Sequence, residues 1–216
     1  MGVSTAPAAS HSAGRRRDPV QERSQETVSR VLAAAGRLLA RGVAPQGLTT
    51  ALIAAEAGLS VGGLYRFFPD KQAVVDAIAL RHLAAFQEGL AARLMADLPD
   101  DPAGFLAAVI DAFAEYLAGH ADFRTIAYGP PGSGGRAISP ALFEQQTGGG
   151  EMAAMVREFL EGMFDLAPDA AFDFRLRLAA EIGDRLIAHA FAQDDPQTRA
   201  RVLAEAKRVL AGYLFE

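Results

Sequence analysis

The sequence predicts an all-α protein, with a three-helix head at its N-terminal end and a larger helical body behind it. Three observations carry this expectation. Apolar residues recur at helical spacing, Ala and Leu dominate while β-branched runs are few, and no stretch alternates apolar with polar residues as a half-buried strand would. Hydrophobic residues make up 50% of the 216, ample for a core, and the absence of cysteine excludes disulfides and thiolate chemistry.

Residues 1–20 are polar, small and Pro-containing, and they read as a disordered arm; no apolar core of a secretory signal precedes or follows Arg15-Arg16-Arg17. From Arg23 the pattern turns helical. Val28, Val31, Leu32, Ala35, Leu38 and Leu39 form one stripe of a 3.6-residue period, which Gly42 closes. A threonine, Thr49 or Thr50, caps the next short helix, and Gly58 ends it by taking the left-handed conformation. Ser60 caps another short helix, Val61 to Phe68. Pro69-Asp70 breaks that helix and caps a long one through Val74, Val75, Ile78, Leu83, Phe86 and Leu90, fading near Leu98-Pro99.

Further helices are expected from about Pro102 to Gly119, Asp122 to Tyr128, Glu151 to Phe164, Pro168 to Gln193 and Pro196 to Tyr213. The Gly/Pro-rich stretch from Gly129 to Gly135 reads as a mobile loop, and Gly148-Gly149-Gly150 as a second break. The division that follows is an arm over 1–20, a head over 21–70 and a body over 71–216.

The net charge of −5 alone argues against a nucleic-acid partner, but its distribution reverses the argument. Residues 1–81 carry an excess of four positive charges, and the body carries all of the acidic surplus. A basic head on an acidic body suits a protein that offers one end to phosphates. Within the head, two short helices joined by Ala57-Gly58-Leu59-Ser60 have the pattern of a helix-turn-helix, whose second helix enters the DNA major groove.

The stretch from Gly47 to Ile78 resembles the DNA-binding domain of the tetracycline-repressor family. The resemblance rests on the paired threonines, Ile53-Ala54, Ala57-Gly58-Leu59-Ser60, Gly62, Leu64-Tyr65, Phe68 and Lys71. The body resembles that family in length and helical content. The resemblance implies that Thr49, Thr50, Tyr65 and Lys71 contact phosphates, roles for which a hydroxyl, a phenol and an ammonium are suited. A plain N-cap is the competing role for either threonine.

Ser60, Val61, Gly62, Gly63 and Arg66 fall on or beside the groove-facing side of the second helix. Arg66 is the candidate for reading a guanine, and Val61 for touching a thymine methyl. Gly63 departs from the family, which usually carries a small hydroxyl residue there. Arg15-Arg17 is either a solvated tail or an arm that adds minor-groove contacts.

In the body, Phe86, Phe113, Tyr116, Phe123, Tyr128, Met155 and Phe159 read as packing residues singly and as the lining of an apolar ligand pocket collectively. The resemblance implies such a cavity beneath the long fourth helix. Gln87, Tyr116, Tyr128, Glu181, Arg185 and His189 are candidates for orienting a small ligand without strong charge. The last two helices carry Phe174, Leu178, Ile182, Leu186, Leu203 and Leu210, and in the family the corresponding pair forms a dimer interface.

Other chemistries fit poorly. The Gly129–Arg136 loop lacks the Lys-Ser/Thr that a P-loop needs. No histidine pair has metal-ligand spacing on one helical face; Glu115 and Asp184 each precede a histidine by five residues. Neither an enzyme nor a cofactor is expected. No window approaches 18 uninterrupted apolar residues, so a cytoplasmic protein without membrane contact is expected.

The sequence thus leads to a homodimeric repressor that binds a pseudo-palindromic double-stranded DNA operator and is released by a small-molecule effector. Two alternatives stay open: a helix-turn-helix regulator without an inducer, and a helical small-molecule-binding protein or enzyme with a vestigial head.

Overall fold

The computed structural model describes residues 19–129, 135–147, 151–164, 166 and 169–215. Among them are ten α-helices and no strand: α1 (Pro19–Ala40), α2 (Thr50–Glu56), α3 (Val61–Tyr65), α4 (Lys71–Ala96), α5 (Pro102–Gly119), α6 (Ala121–Tyr128), α7 (Pro140–Thr147), α8 (Glu151–Phe164), α9 (Ala170–Phe191) and α10 (Pro196–Phe215). A 3₁₀ turn, Pro45–Gly47, precedes α2. The expected arm, including Arg15-Arg17, lies almost wholly outside the described residues, as do most of the Gly/Pro-rich stretch and the triple glycine.

Local chemistry sets most helix ends. Within the described residues α1 already runs from Pro19, four residues before the expected Arg23. It ends in a Schellman motif: Gly42 has φ +89°, its N–H donates to Leu39 O (3.0 Å), and Val43 N–H donates to Leu38 O (3.1 Å). α2 ends identically, with Gly58 at φ +66°, Gly58 N–H to Ala55 O (3.1 Å) and Leu59 N–H to Ala54 O (2.9 Å).

α3 stops at Tyr65 rather than Phe68, since Pro69 drives the residue before it out of the helical region. Asp70, Asp101 and Asp169 cap α4, α5 and α9 through their side chains. Each cap of this kind contributes about 1 kcal/mol.

α7 is a helix that the periodicity did not predict. Ser139 starts it, its Oγ accepting from Leu142 N–H at 3.3 Å, and Pro140 occupies the first turn.

The core falls into two clusters. One joins Val31, Leu38, Leu48, Ile53 and Leu64 of the head to Val74, Val75 and Ile78 of α4, and continues into Leu117, Phe123 and Ile126 of the body. The other, farther along α4, gathers Phe86, Leu90, Phe105, Leu160, Phe172, Leu176 and Leu210. α4 therefore belongs to head and body at once, and α6 packs directly against α1.

Among the described residues, α5 alone has the length and apolar composition to cross a membrane. It packs instead against α4, α6 and α10, and its Asp111 and Glu115 pair with Lys207 and Arg93.

Candidate DNA interface and ligand cavity

The helix-turn-helix is built from the caps outward. Thr49 Oγ1 accepts from Leu52 N–H at 3.1 Å, so this threonine is the N-cap of α2. That leaves Thr50 one residue inside, with Oγ1 3.3 Å from the Tyr65 hydroxyl at the end of α3. Ser60 caps α3 through Gly63 N–H at 3.1 Å. Leu64 is fully buried and pins α3 to the head core, while Val61, Gly62, Tyr65 and Arg66 are exposed. Tyr65 keeps 51% of its surface exposed, a large amount for an aromatic residue in a well-packed head.

Gly62 has open space where a Cβ would project. At Gly63 a Cβ would lie 3.2 Å from Ser60 Oγ, so the cap crowds it. The Arg66 guanidinium lies 6.0 Å from the Phe67 ring centroid and is otherwise free to reach outward.

Lys71 donates to Gln46 O (3.1 Å) and Pro45 O (3.5 Å), which ties the start of α4 to the turn before α2. An ammonium has three donors, so one remains for a phosphate. Across the head, Glu56 accepts from Arg37 and Arg41 and clamps α2 to α1. Hydrogen bonds from Arg41 and Arg37 hold its carboxyl below the usual range.

In the body, a cavity of about 170 Å³ lies between α4, α5, α8, α9 and α10. Its wall is almost wholly hydrocarbon, including Leu83 and Phe86 of α4, Phe113 of α5, Val156 of α8 and Leu210 of α10. Tyr128, Gln146 and Asp184 supply its polar groups, and among the described residues Asp184 is the one charged residue on the wall.

Arg136 closes over Asp184: one guanidinium nitrogen donates to both carboxylate oxygens, at 2.7 and 2.6 Å. Burial, together with the charge of the nearby Asp184 carboxylate, pushes the Tyr128 phenol well above the ordinary range. A second apolar hollow, of about 370 Å³, lies at the far end of α4 between Leu90, Leu94, Met95, Phe105, Met155, Phe159 and Met163.

The residues expected to line one pocket are thus divided. Phe86, Phe113 and Tyr128 line the first cavity, whereas Met155 and Phe159 line the distal hollow. Tyr116 and Phe123 line neither. They surround the buried His82, whose Nδ1 lies 2.9 Å from the Tyr116 hydroxyl and whose ring stacks on Phe123 at 5.0 Å. His82 Nε2 donates to Asp122 Oδ2 at 3.1 Å.

Of the polar candidates, Glu181, Arg185 and His189 are exposed on α9 and Gln87 is half-buried outside the wall; only Tyr128 reaches it. Asp184, Arg136 and Gln146 were not anticipated. The signal for Asp184 was an acid sharing the helical face of Leu176, Ala180 and Ile187.

On the outer face of α9, Phe174 and Ile182 are exposed and Leu178 and Leu186 half-exposed. Leu203 and Leu210, expected to join that face, turn inward. Leu210 is buried against the position of Gly183 and lines the cavity, and Leu203 packs against both core clusters. From α10 the exposed apolar residues are Val209 and Tyr213.

Two family models match the chain. Residues 31–78 match "Bacterial regulatory proteins, tetR family", and residues 101–214 match "Tetracyclin repressor-like, C-terminal domain". No curated protein sequence matches. Among solved structures, a TetR-family transcriptional regulator from Streptomyces coelicolor is 25% identical with a TM-score of 0.64, the match covering 87% of this chain and 97% of that one. FadR of Thermus thermophilus, a TetR-family repressor solved in complex with lauroyl-CoA, is 23% identical with a TM-score of 0.62, over 88% and 95% of the two chains. FadR of Bacillus halodurans, a fatty acid degradation regulator, is 15% identical with a TM-score of 0.50, over 91% and 96%. Helix-turn-helix head, all-α body and family models agree: the chain belongs to the tetracycline-repressor family of DNA-binding transcriptional regulators.

Proposed function

We propose that the protein is a homodimeric repressor that leaves its operator when a largely apolar small molecule occupies the body cavity. The observation that carries this reading is the double membership of α4. Its first residue is tied by Lys71 to the turn before α2, and Leu83 and Phe86, three to four turns on, form cavity wall. A ligand that prefers one arrangement of the wall therefore also prefers one placement of the head, and only that differential affinity shifts the equilibrium.

The DNA contacts proposed are Thr49, Thr50, Tyr65 and Lys71 to phosphates, and Val61, Gly62, Gly63 and Arg66 toward bases, with Ser60 fixing the helix that presents them. The unpartnered apolar face of Phe174, Leu178, Ile182, Val209 and Tyr213 supports pairing of two copies. Two heads reading two half-sites supply the discrimination that one five-residue helix lacks.

The cavity favours an inducible regulator over one without an effector. An apolar cavity of about 150 Å³ in another protein is large enough to bind benzene. The lauroyl-CoA held by the Thermus thermophilus relative makes acyl compounds the first effectors to test.

The reading is tested by incubating purified protein with fragments of its own genome at physiological salt. Enrichment of a palindrome with two spaced half-sites, released by an acyl compound or another apolar effector, is the expected result. Weak binding that is indifferent to sequence and vanishes as salt rises contradicts it.

A further inference from the structure

We propose that Arg136 is a positioning residue through which the ligand cavity grips the DNA-binding head, and that a ligand donating a hydrogen bond to Asp184 loosens that grip. The inference rests on the cavity being the effector site.

One end of the connection lies on the cavity wall. Asp184 faces a lining that is otherwise nearly all hydrocarbon, and Arg136 holds both of its oxygens. The guanidinium is fixed from two further sides. Its Nε donates to Ala127 O at 3.0 Å, and its centre stands 3.4 Å from the Phe143 ring centroid.

The other end lies on α4. Immediately after Arg136, Ala137 N–H donates to Ile126 O at 2.8 Å, while Ala137 O accepts from Gln72 Nε2 at 2.8 Å. Gln72 Nε2 also donates to Asp76 Oδ1 (2.9 Å), and the same oxygen accepts from Ser139 N–H (2.9 Å). Gln72 and Asp76 occupy the first two turns of α4, beside Lys71 and its carbonyl partners before α2. Residues 136–139 thus form a strap of hydrogen bonds running from the cavity wall to the root of the DNA-binding head.

The chemistry of the wall names the ligand class. Asp184 is an acceptor, and Arg136 already engages both of its oxygens. A small apolar molecule with one donor, such as a hydroxyl, amide or ammonium, competes with Arg136 for that carboxylate. An apolar molecule without a donor fills the hydrocarbon part and leaves the ion pair intact. When the pair opens, the strap loses its anchor and the first turns of α4 are freed.

The test uses the full-length protein with Asp184→Asn, Asp76→Asn, their combination, and Arg136→Lys, which keeps the charge but loses the Nε bond to Ala127 O and the planar face over Phe143. Amide hydrogen exchange is followed across residues 71–78, and affinity is measured for the genomic operator. Asp184→Asn and Arg136→Lys are expected to speed exchange there, although neither residue lies on α4. Each single substitution should lower operator affinity about tenfold, within the usual range of coupling between sites. The Asp184→Asn/Asp76→Asn pair should lose no more than either alone, because both break one path.

Unchanged exchange at 71–78 in both Asp184→Asn and Arg136→Lys overturns the proposal, as does a double variant whose loss is the product of the singles. If the wild type selects no operator, the reading of the protein as a repressor fails while the exchange measurement still decides the strap.

Discussion

A Cβ on Gly36 of α1 would lie 2.9 Å from Asp122 Oδ2 of α6, the same oxygen that accepts from His82 of α4. Head and body therefore meet at a point with no room for a methyl group. The carboxylate has little freedom to retreat, since its other oxygen accepts from Phe123 N–H at 2.9 Å. Gly36→Ala is expected to destabilise the protein by about 1–3 kcal/mol, as overpacking does. Helix propensity alone gives the opposite sign, about 1 kcal/mol in favour of Ala. Denaturant unfolding distinguishes them by the direction in which the midpoint moves.

The same carboxylate predicts a pH dependence. Burial acts to raise the Asp122 pKa, but the hydrogen bond and charge of His82 and the Phe123 amide prevail and hold it below the ordinary value. A group lowered on folding contributes stability above its unfolded pKa of about 4, and that stability is lost as pH falls through the folded value. Unfolding free energy should therefore drop below pH of about 4, and Asp122→Asn should remove part of that drop. A variant that loses stability over the acid range as steeply as wild type would show that Asp122 does not contribute.

At the recognition helix, stability and DNA affinity are expected to part. Gly62 is exposed and open around its missing Cβ. Gly62→Ala should raise thermal stability by up to about 1 kcal/mol equivalent. It should also weaken operator binding if the bare backbone lies against DNA. Gly63→Ala has less to gain, because its Cβ would crowd the Ser60 cap. Melting curves and binding isotherms on the two variants separate the effects.

The outer face of α9 predicts an assembly phenotype. Ile182→Glu places a charge among Phe174, Leu178 and Leu186, and sedimentation should show a shift from dimer to monomer with the fold retained. Leu210→Ala acts on the other face of the helix pair. It enlarges the cavity and should cost about 2–5 kcal/mol of stability while leaving the α9 surface intact. A dimer unaffected by Ile182→Glu would place the interface elsewhere.

What the sequence made legible was local. Gly42 and Gly58 end their helices through their own positive φ, and Ser60 and Asp70 cap through bonds three residues long, so their roles are written in adjacent residues. The set of Thr50, Tyr65 and Lys71 came instead from the family resemblance, since the structure joins Thr50 to Tyr65 across 15 residues and Lys71 to Gln46 across 25.

Orientation within α10 was not. The helix carries apolar residues on two faces, Leu203, Leu210 and Leu214 on one and Val202, Val209 and Tyr213 on the other. Periodicity reports both stripes without saying which packs inward. The His82 network and the Arg136–Asp184 pair join residues 34 to 48 positions apart. Only tertiary packing brings them together. Arg136 was visible solely as the end of a glycine-rich loop, and Asp184 as an acid at the wrong spacing for a metal.

The most direct measurement is the affinity of wild type and Tyr65→Ala for the selected operator and for a scrambled duplex, across a salt series. The account predicts that wild type prefers the operator by at least about a thousandfold at physiological salt, the low end for specific DNA-binding proteins. It further predicts that Tyr65→Ala weakens operator binding while the salt slope stays near that of wild type, since a neutral phenol releases no counterion. Equal affinity for both duplexes, or a Tyr65→Ala protein indistinguishable from wild type, would contradict the assignment of the exposed α2–α3 face as the surface that reads DNA.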